Sequence, residues 1–168
     1  MPTALDLFER HHVVVYGFLR RMGLSVHDAE DLTQDVFLRV VRALASYEDR
    51  QMERAWVFRI ARNVWLDHLR ARGRAPGVEP LDDRQVVTTP PAQVDRAALD
   101  EALARIGEAE REAFLMREVG GLGYAEIAEA TGTTPGAVRS RIHRGRLKLR
   151  HTLENARPIA RGTDAREA

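Results

Sequence analysis

The stretch Gly132-Thr133-Thr134-Pro135-Gly136-Ala137-Val138-Arg139-Ser140-Arg141-Ile142-His143-Arg144-Gly145-Arg146 decides the fold. Gly132 supplies a tight turn, Thr134 a side-chain cap, and Pro135 sits at the favoured first position of a helix that runs to about Leu153. At about 100° per residue, Val138, Ile142 and Leu149 share a narrow apolar stripe. Arg139, Ser140, His143 and Arg144 project from the opposite face, Arg141 and Arg146 flank them, and Lys148 and Arg150 follow. No Asp or Glu stands between Thr131 and Thr152, so this charge is not offset by the i,i+4 pairs of an ordinary solvated basic helix. A short helix containing Ile127 and Ala128 precedes the turn. Short helix, glycine turn and longer basic helix form a helix-turn-helix signature. Its arginines suit guanine edges in the major groove and its flanking cations suit phosphates. Leu147 falls on the polar side and is expected to pack against another element near the helix end.

Upstream of this motif, Leu99, Ala102, Leu103 and Ile106 line one helix, and Ala113, Phe114 and Met116 a second, before Gly120-Gly121 and Gly123 interrupt the chain. These helices and the motif make a four-helix unit over residues 94–155, followed by a patternless tail over 156–168. Between residues 74 and 93, Pro76, Pro80, Pro90, Pro91 and Gly77 interrupt any periodicity, which predicts a linker. As a free coil its roughly 20 residues span about 25 Å.

The first 73 residues read as three helices. Leu5, Phe8, Val15, Leu19 and Met22 form the first stripe, with His12 in the missing turn, and Gly23 stops it. Ser25 caps the second helix, where Ala29, Leu32, Val36, Val40 and Leu44 repeat the stripe and Asp28, Glu30 and Asp31 crowd the positive dipole end. Past Ser46 to Gln51, a third helix carries Trp56, Ile60 and Val64. The expected fold is all-α: two small helical domains, a three-helix bundle and a helix-turn-helix unit, joined by a flexible linker.

Composition removes several classes of function. Among 168 residues, 44% are hydrophobic, enough for real cores, and no cysteine exists for disulfides, thiol catalysis or cysteine-ligated zinc. The apolar run Val13-Val14-Val15-Tyr16 is far too short for a membrane span, and the start lacks the features of a secretory signal. A cytoplasmic protein without membrane insertion is expected. The six histidines are scattered without ligand spacing, and no phosphate loop or nucleophile motif occurs. No catalytic residue, metal or cofactor is therefore expected.

The net charge of +1 says little, but its distribution is informative. The second helix is acidic through Asp28, Glu30, Asp31 and Asp35, with no Lys or Arg before Arg39. The third and its end carry Arg54, Arg59, Arg62, Arg70, Arg72 and Arg74 beside Trp56, Phe58 and Trp65, with Tyr47 ahead of them. Basic and aromatic groups together suit phosphates and unpaired bases, although Tyr47, Trp56 and Trp65 also fit an ordinary core, Trp56 best of all. An acidic helix repels nucleic acid and points to a protein partner, while Asp28 and Glu30 also read as helix-capping charges. Asn63, polar within a helix, points to a specific partner.

Three motifs in order resemble one family. Ala29-Glu30-Asp31-Leu32-Thr33-Gln34-Asp35-Val36-Phe37-Leu38-Arg39-Val40 is similar to the polymerase-binding helix of the extracytoplasmic-function (ECF) sigma factors. Ala55-Trp56-Val57-Phe58-Arg59-Ile60-Ala61-Arg62-Asn63 resembles their promoter-melting helix, and Gly123 to Glu129 with Gly136 to Arg146 their helix-turn-helix. The resemblance implies a transcription initiation factor of the sigma-70 family that brings core RNA polymerase to promoter DNA, as duplex and as opened strand. It implies that Asp31, Gln34, Asp35 and Phe37 form or support the face docking on polymerase. Tyr47, Glu48, Asp49 and Arg50 would capture a flipped minus-ten base, and Arg59 and Asn63 would hold the opened strand. Arg139, Ser140, Arg141, His143, Arg144 and Arg146 would read the minus-thirty-five element. An anti-sigma protein is the implied inhibitor. Where the family has Leu-Pro-Glu this chain has Ile106-Gly107-Glu108, and its loop Glu48-Asp49-Arg50-Gln51-Met52-Glu53 is unusually charged.

Two other classes compete. A stand-alone helix-turn-helix repressor or activator would dimerise on a palindrome, and the acidic helix argues against it. An adaptor that mimics a sigma factor would not need six basic residues on its last helix.

Overall fold

The computed structural model describes the backbone of residues 1–73 and 91–156 and the side chains of 1–73 and 96–155. The described residues contain α1 (Ala4–Arg21), α2 (Val26–Ala43), a 3-10 turn (Leu44–Ser46), α3 (Glu53–Ala71), α4 (Pro91–Ala104), α5 (Glu108–Glu118), α6 (Tyr124–Thr131) and α7 (Pro135–Ala156), and no strand. The linker expected over 74–93 lies outside the described residues except for its last three, which form the first turn of α4.

Local chemistry starts and stops these helices where expected. Thr3 and Asp6 form a reciprocal capping box on α1: the Asp6 amide donates to Thr3 Oγ1 at 3.1 Å and the Thr3 amide to Asp6 Oδ2 at 2.8 Å. Ser25 Oγ accepts from the Asp28 amide at 3.1 Å and caps α2. Gly132 ends α6 in the left-handed region at φ +67°, which costs glycine nothing and lets α7 leave at a new angle.

The buried stripe of α1 differs from the one expected. Leu7, His11, Val15, Phe18 and Leu19 are buried, whereas Leu5 and Phe8 are exposed. His11 is the reason for the difference. Its ring Nε2 lies 2.7 Å from Glu53 Oε1 at the start of α3, so a polar side chain is accepted in the core. Leu147, expected to pack, is instead exposed.

The helix α3 is buried on more than one side. Ala55, Val57, Phe58, Ala61, Val64 and Trp65 are all inside, and Trp56 and Ile60 pack part-buried against the same core. One side of α3 meets α1 and α2, and another meets α6. The two helical units consequently share one continuous apolar cluster. Phe58 stacks edge-on to Phe18 with centroids 5.4 Å apart. On its other side, Gly120 comes so close that a Cβ there would stand 2.7 Å from Phe58 Cζ. The absence of a side chain at Gly120 lets the turn after α5 seat directly on α3.

Candidate nucleic-acid and polymerase interfaces

Helix α7 is seated through Val138, Ile142 and Leu149, all buried, and through Gly145, whose missing Cβ would lie 3.4 Å from the Glu110 carbonyl oxygen of α5. Thr134 Oγ1 accepts from the Ala137 amide at 3.2 Å and fixes the helix start. This seating turns Arg139, Ser140 and His143 outward together, all exposed, with Arg141 half-buried beside them. Arg139 lies 5.4 Å from the Tyr124 ring centroid, a ring it shares with Arg117 at 4.7 Å.

The charge of α7 is less open than its own sequence suggests. Arg144 Nε lies 3.0 Å from Glu110 Oε1, Lys148 Nζ 2.6 Å from Glu110 Oε2, and Arg146 Nη2 2.8 Å from Glu118 Oε1. The opposing carboxylates come from α5 and not from within α7. Three of the six cations are thus offset across helices, by partners that the spacing within α7 does not reveal. Burial alone would raise the Glu110 carboxyl, but the hydrogen bonds from Lys148 and Arg144 outweigh it and hold that carboxyl below its usual range.

In the front bundle, Asp31 and Gln34 are exposed and Asp35 is half exposed on one face of α2. Phe37 is buried and supports that face from beneath, its ring edge-on to Phe8 with centroids 5.1 Å apart. Arg39 anchors the face by pairing with Asp35 at 3.2 Å and with Asp67 of α3 at 2.8 Å. Leu38 and Val41, 55% and 56% exposed, lie among the acidic residues. Sequence reasoning missed these two. The available signal was that both are apolar yet fall off the stripe formed by Leu32, Val36 and Val40.

The residues expected at an opened strand divide into two sets. Glu48, Asp49, Arg50 and Asn63 are exposed. The loop is shaped by Asp49 Oδ1 accepting from the Gln51 amide at 3.0 Å, by an Arg50–Glu48 pair at 2.7 Å, and by Gln51 at φ +59°. Tyr47 is buried, its ring 4.4 Å from that of Trp56. Burial pushes its phenol pKa up. Tyr47 therefore walls the loop and does not line an open surface, which corrects its expected place. Arg59 Nη2 donates to the Glu129 carbonyl at 2.8 Å and pairs with the Glu129 carboxylate, so it too faces protein.

Comparisons agree with this architecture. Residues 7–75 match the family model Sigma-70 region 2, and residues 96–149 match Sigma-70, region 4. The ECF RNA polymerase sigma factor SigM of Mycobacterium tuberculosis is 34% identical over 88% of this chain and 76% of its own length. The ECF RNA polymerase sigma factor SigE of Mycolicibacterium smegmatis is 39% identical over 91% of this chain and 62% of its own length, so this chain spans less than two thirds of that relative. Among solved structures, CnrH in complex with the cytosolic domain of CnrY superposes with a TM-score of 0.73 at 26% identity, covering 91% of this chain and 88% of that one. The chain belongs to the ECF group of sigma-70-family RNA polymerase sigma factors. No helix among the described residues is long and apolar enough to cross a membrane.

Proposed function

We propose that this chain acts in the cytoplasm as a non-enzymatic initiation factor that docks on core RNA polymerase through α2 and carries it to promoters read by α3 and α7. The acidic face Asp31, Gln34 and Asp35, with Phe37 beneath and Leu38 and Val41 beside it, is the polymerase surface. Apolar groups rimmed by charge give such a face both affinity and register. Glu48, Asp49 and Arg50 shape the minus-ten loop against the wall formed by Tyr47, and Asn63 and Arg59 hold the opened strand. Arg139, Ser140 and His143 read the minus-thirty-five element, with Arg141, Arg144 and Arg146 serving phosphates. An anti-sigma protein is the inhibitory partner.

One observation carries the reading. An exposed acidic face on α2 and an exposed Arg139-Ser140-His143 row on α7 occur in one chain, giving it one surface for a protein and one for DNA. The test mixes purified chain with core polymerase and a genomic promoter library. Asp35→Arg should abolish polymerase binding, and Arg139→Ala should spare binding but weaken promoter choice. Core polymerase that ignores the wild-type chain would favour the stand-alone regulator.

A further inference from the structure

The cations of α7 are not all held alike. Arg144, Lys148 and Arg146 are drawn back to carboxylates of α5, at 3.0, 2.6 and 2.8 Å. Each such pair engages N–H donors of the cation, which a DNA group would have to win back. Arg139 lies instead over an aromatic ring, its guanidinium carbon 5.4 Å from the Tyr124 centroid. A guanidinium resting on a ring keeps its in-plane fork of N–H donors free while losing much of its freedom to swing. That is the condition in which an arginine meets a guanine edge bidentately.

The ring is itself fixed. Tyr124 is the first residue of α6, where the Gly123 amide donates to Glu126 Oε2 at 2.7 Å and buried Ile127 and Ala128 seat the helix. Arg117 of α5 comes within 4.7 Å of the same ring centroid, and its Nη1 donates to the Leu122 carbonyl at 3.1 Å. Arg117 thereby ties the ring to the turn that precedes α6. Tyr124 is half-buried and Arg139 exposed, so the ring supports the arginine from the protein side.

We propose that Tyr124 is a positioning residue for base choice: its ring, braced by Arg117, holds Arg139 in the orientation that reads the minus-thirty-five element. This rests on Arg139 as a base-reading residue and gives Tyr124 no contact with DNA of its own. A long side chain set in place beforehand loses less freedom when it binds. Only the aligned contact with the matched base pair gains from this, since phosphate contacts carry no sequence information. Selectivity at one position therefore depends on the ring, and salt dependence does not.

The test uses polymerase reconstituted with the full-length chain and a promoter fragment recovered from the library above, each minus-thirty-five base pair substituted in turn. Initiation from matched and substituted fragments gives a preference ratio at each position. Arg139→Ala identifies the position that Arg139 reads, where the ratio should fall about tenfold. Tyr124→Leu should lower the ratio at that position alone by about two- to fivefold, the worth of an exposed cation–π contact. Tyr124→Phe keeps the ring and should hold the wild-type ratio. In an Arg139→Ala background, Tyr124→Leu should lower the ratio no further. The slope of log affinity against log salt should be the same in Tyr124→Leu as in wild type. Three results overturn the proposal alone: a ratio unmoved by Tyr124→Leu, one lowered equally at every position, or a Tyr124→Phe as impaired as Tyr124→Leu. If Arg139→Ala alters the preference nowhere, the base-reading role of Arg139 falls and this proposal with it.

Discussion

Replacing Arg62 with Met tests how the ion pair between α3 and α5 is held. Arg62 is 28% exposed and its partner Glu112 only 4%, so the change removes the nearer countercharge from a carboxylate that water scarcely reaches and leaves it only the weaker pull of Arg141. Breaking one side of such a pair costs about 3–5 kcal/mol, because a buried charge is left uncompensated. Burial already pushes the Glu112 carboxyl up, against the pull of Arg62, and losing Arg62 pushes it further. The pH dependence follows in sign. An acid whose folded pKa lies above its unfolded value loses stability as pH rises from the unfolded pKa through the folded one. Arg62→Met should therefore be weakest near pH 7 and recover towards pH 5. Urea denaturation at both values measures this, with Arg62→Met/Glu112→Met completing a double-mutant cycle. The double variant should be within about 1 kcal/mol of wild type or more stable, since apolar replacement of a buried pair is often neutral or favourable. A single variant losing under about 1 kcal/mol at pH 7, with no pH dependence, would refute the argument.

Four further outcomes are expected. Glu110→Gln releases Arg144 and Lys148 from α5 and should steepen the salt dependence of minus-thirty-five duplex binding by up to about 2 logarithmic units per decade; an unchanged slope would show that neither cation meets phosphate. Asp35→Arg replaces a surface pair with Arg39 by an exposed like-charge contact, so its melting temperature should stay within a few degrees of wild type while polymerase capture by pull-down is lost. Gly132→Ala meets no neighbour within 4 Å but holds φ +67°, so calorimetry should register a loss of about 1 kcal/mol from backbone strain alone. Small-angle scattering of the free wild-type protein should give a radius of gyration near 15 Å, against about 20 Å if the units stood one DNA turn apart.

Much of this structure was legible because amphipathic periodicity is local. The stripe of α2 and the seat of α7 follow from spacings of three and four, and the turn at Gly132 from residue type. The reading slipped on α1 because His11 owes its burial to Glu53, 42 residues away. Periodicity weighs each side chain by its own polarity and cannot see a distant partner. The same blindness hid the carboxylates opposite Arg144, Arg146 and Lys148, which come from α5. The contact between the two units did leave a trace. Ala55, Val57, Phe58 and Ala61 make α3 apolar on more faces than one bundle can cover, which indicates a helix buried on several sides. Ahead of the Glu48-Asp49-Arg50 loop, the seclusion of Tyr47 against Trp56 had no unique signal, because an aromatic suits an unpaired base as well as a core.

The double burial of α3 bears on any effort to retarget this factor to new genes. A substitution made on that helix to change which bases are preferred also alters its fit against Gly120, Gly121 and Glu129, and so changes the stability of the fold. Altered output from such a variant would then mix two quantities, choice of site and amount of folded protein. Separating them calls for a compensating change on α6, so that libraries for synthetic circuits should vary the two helices as a matched pair.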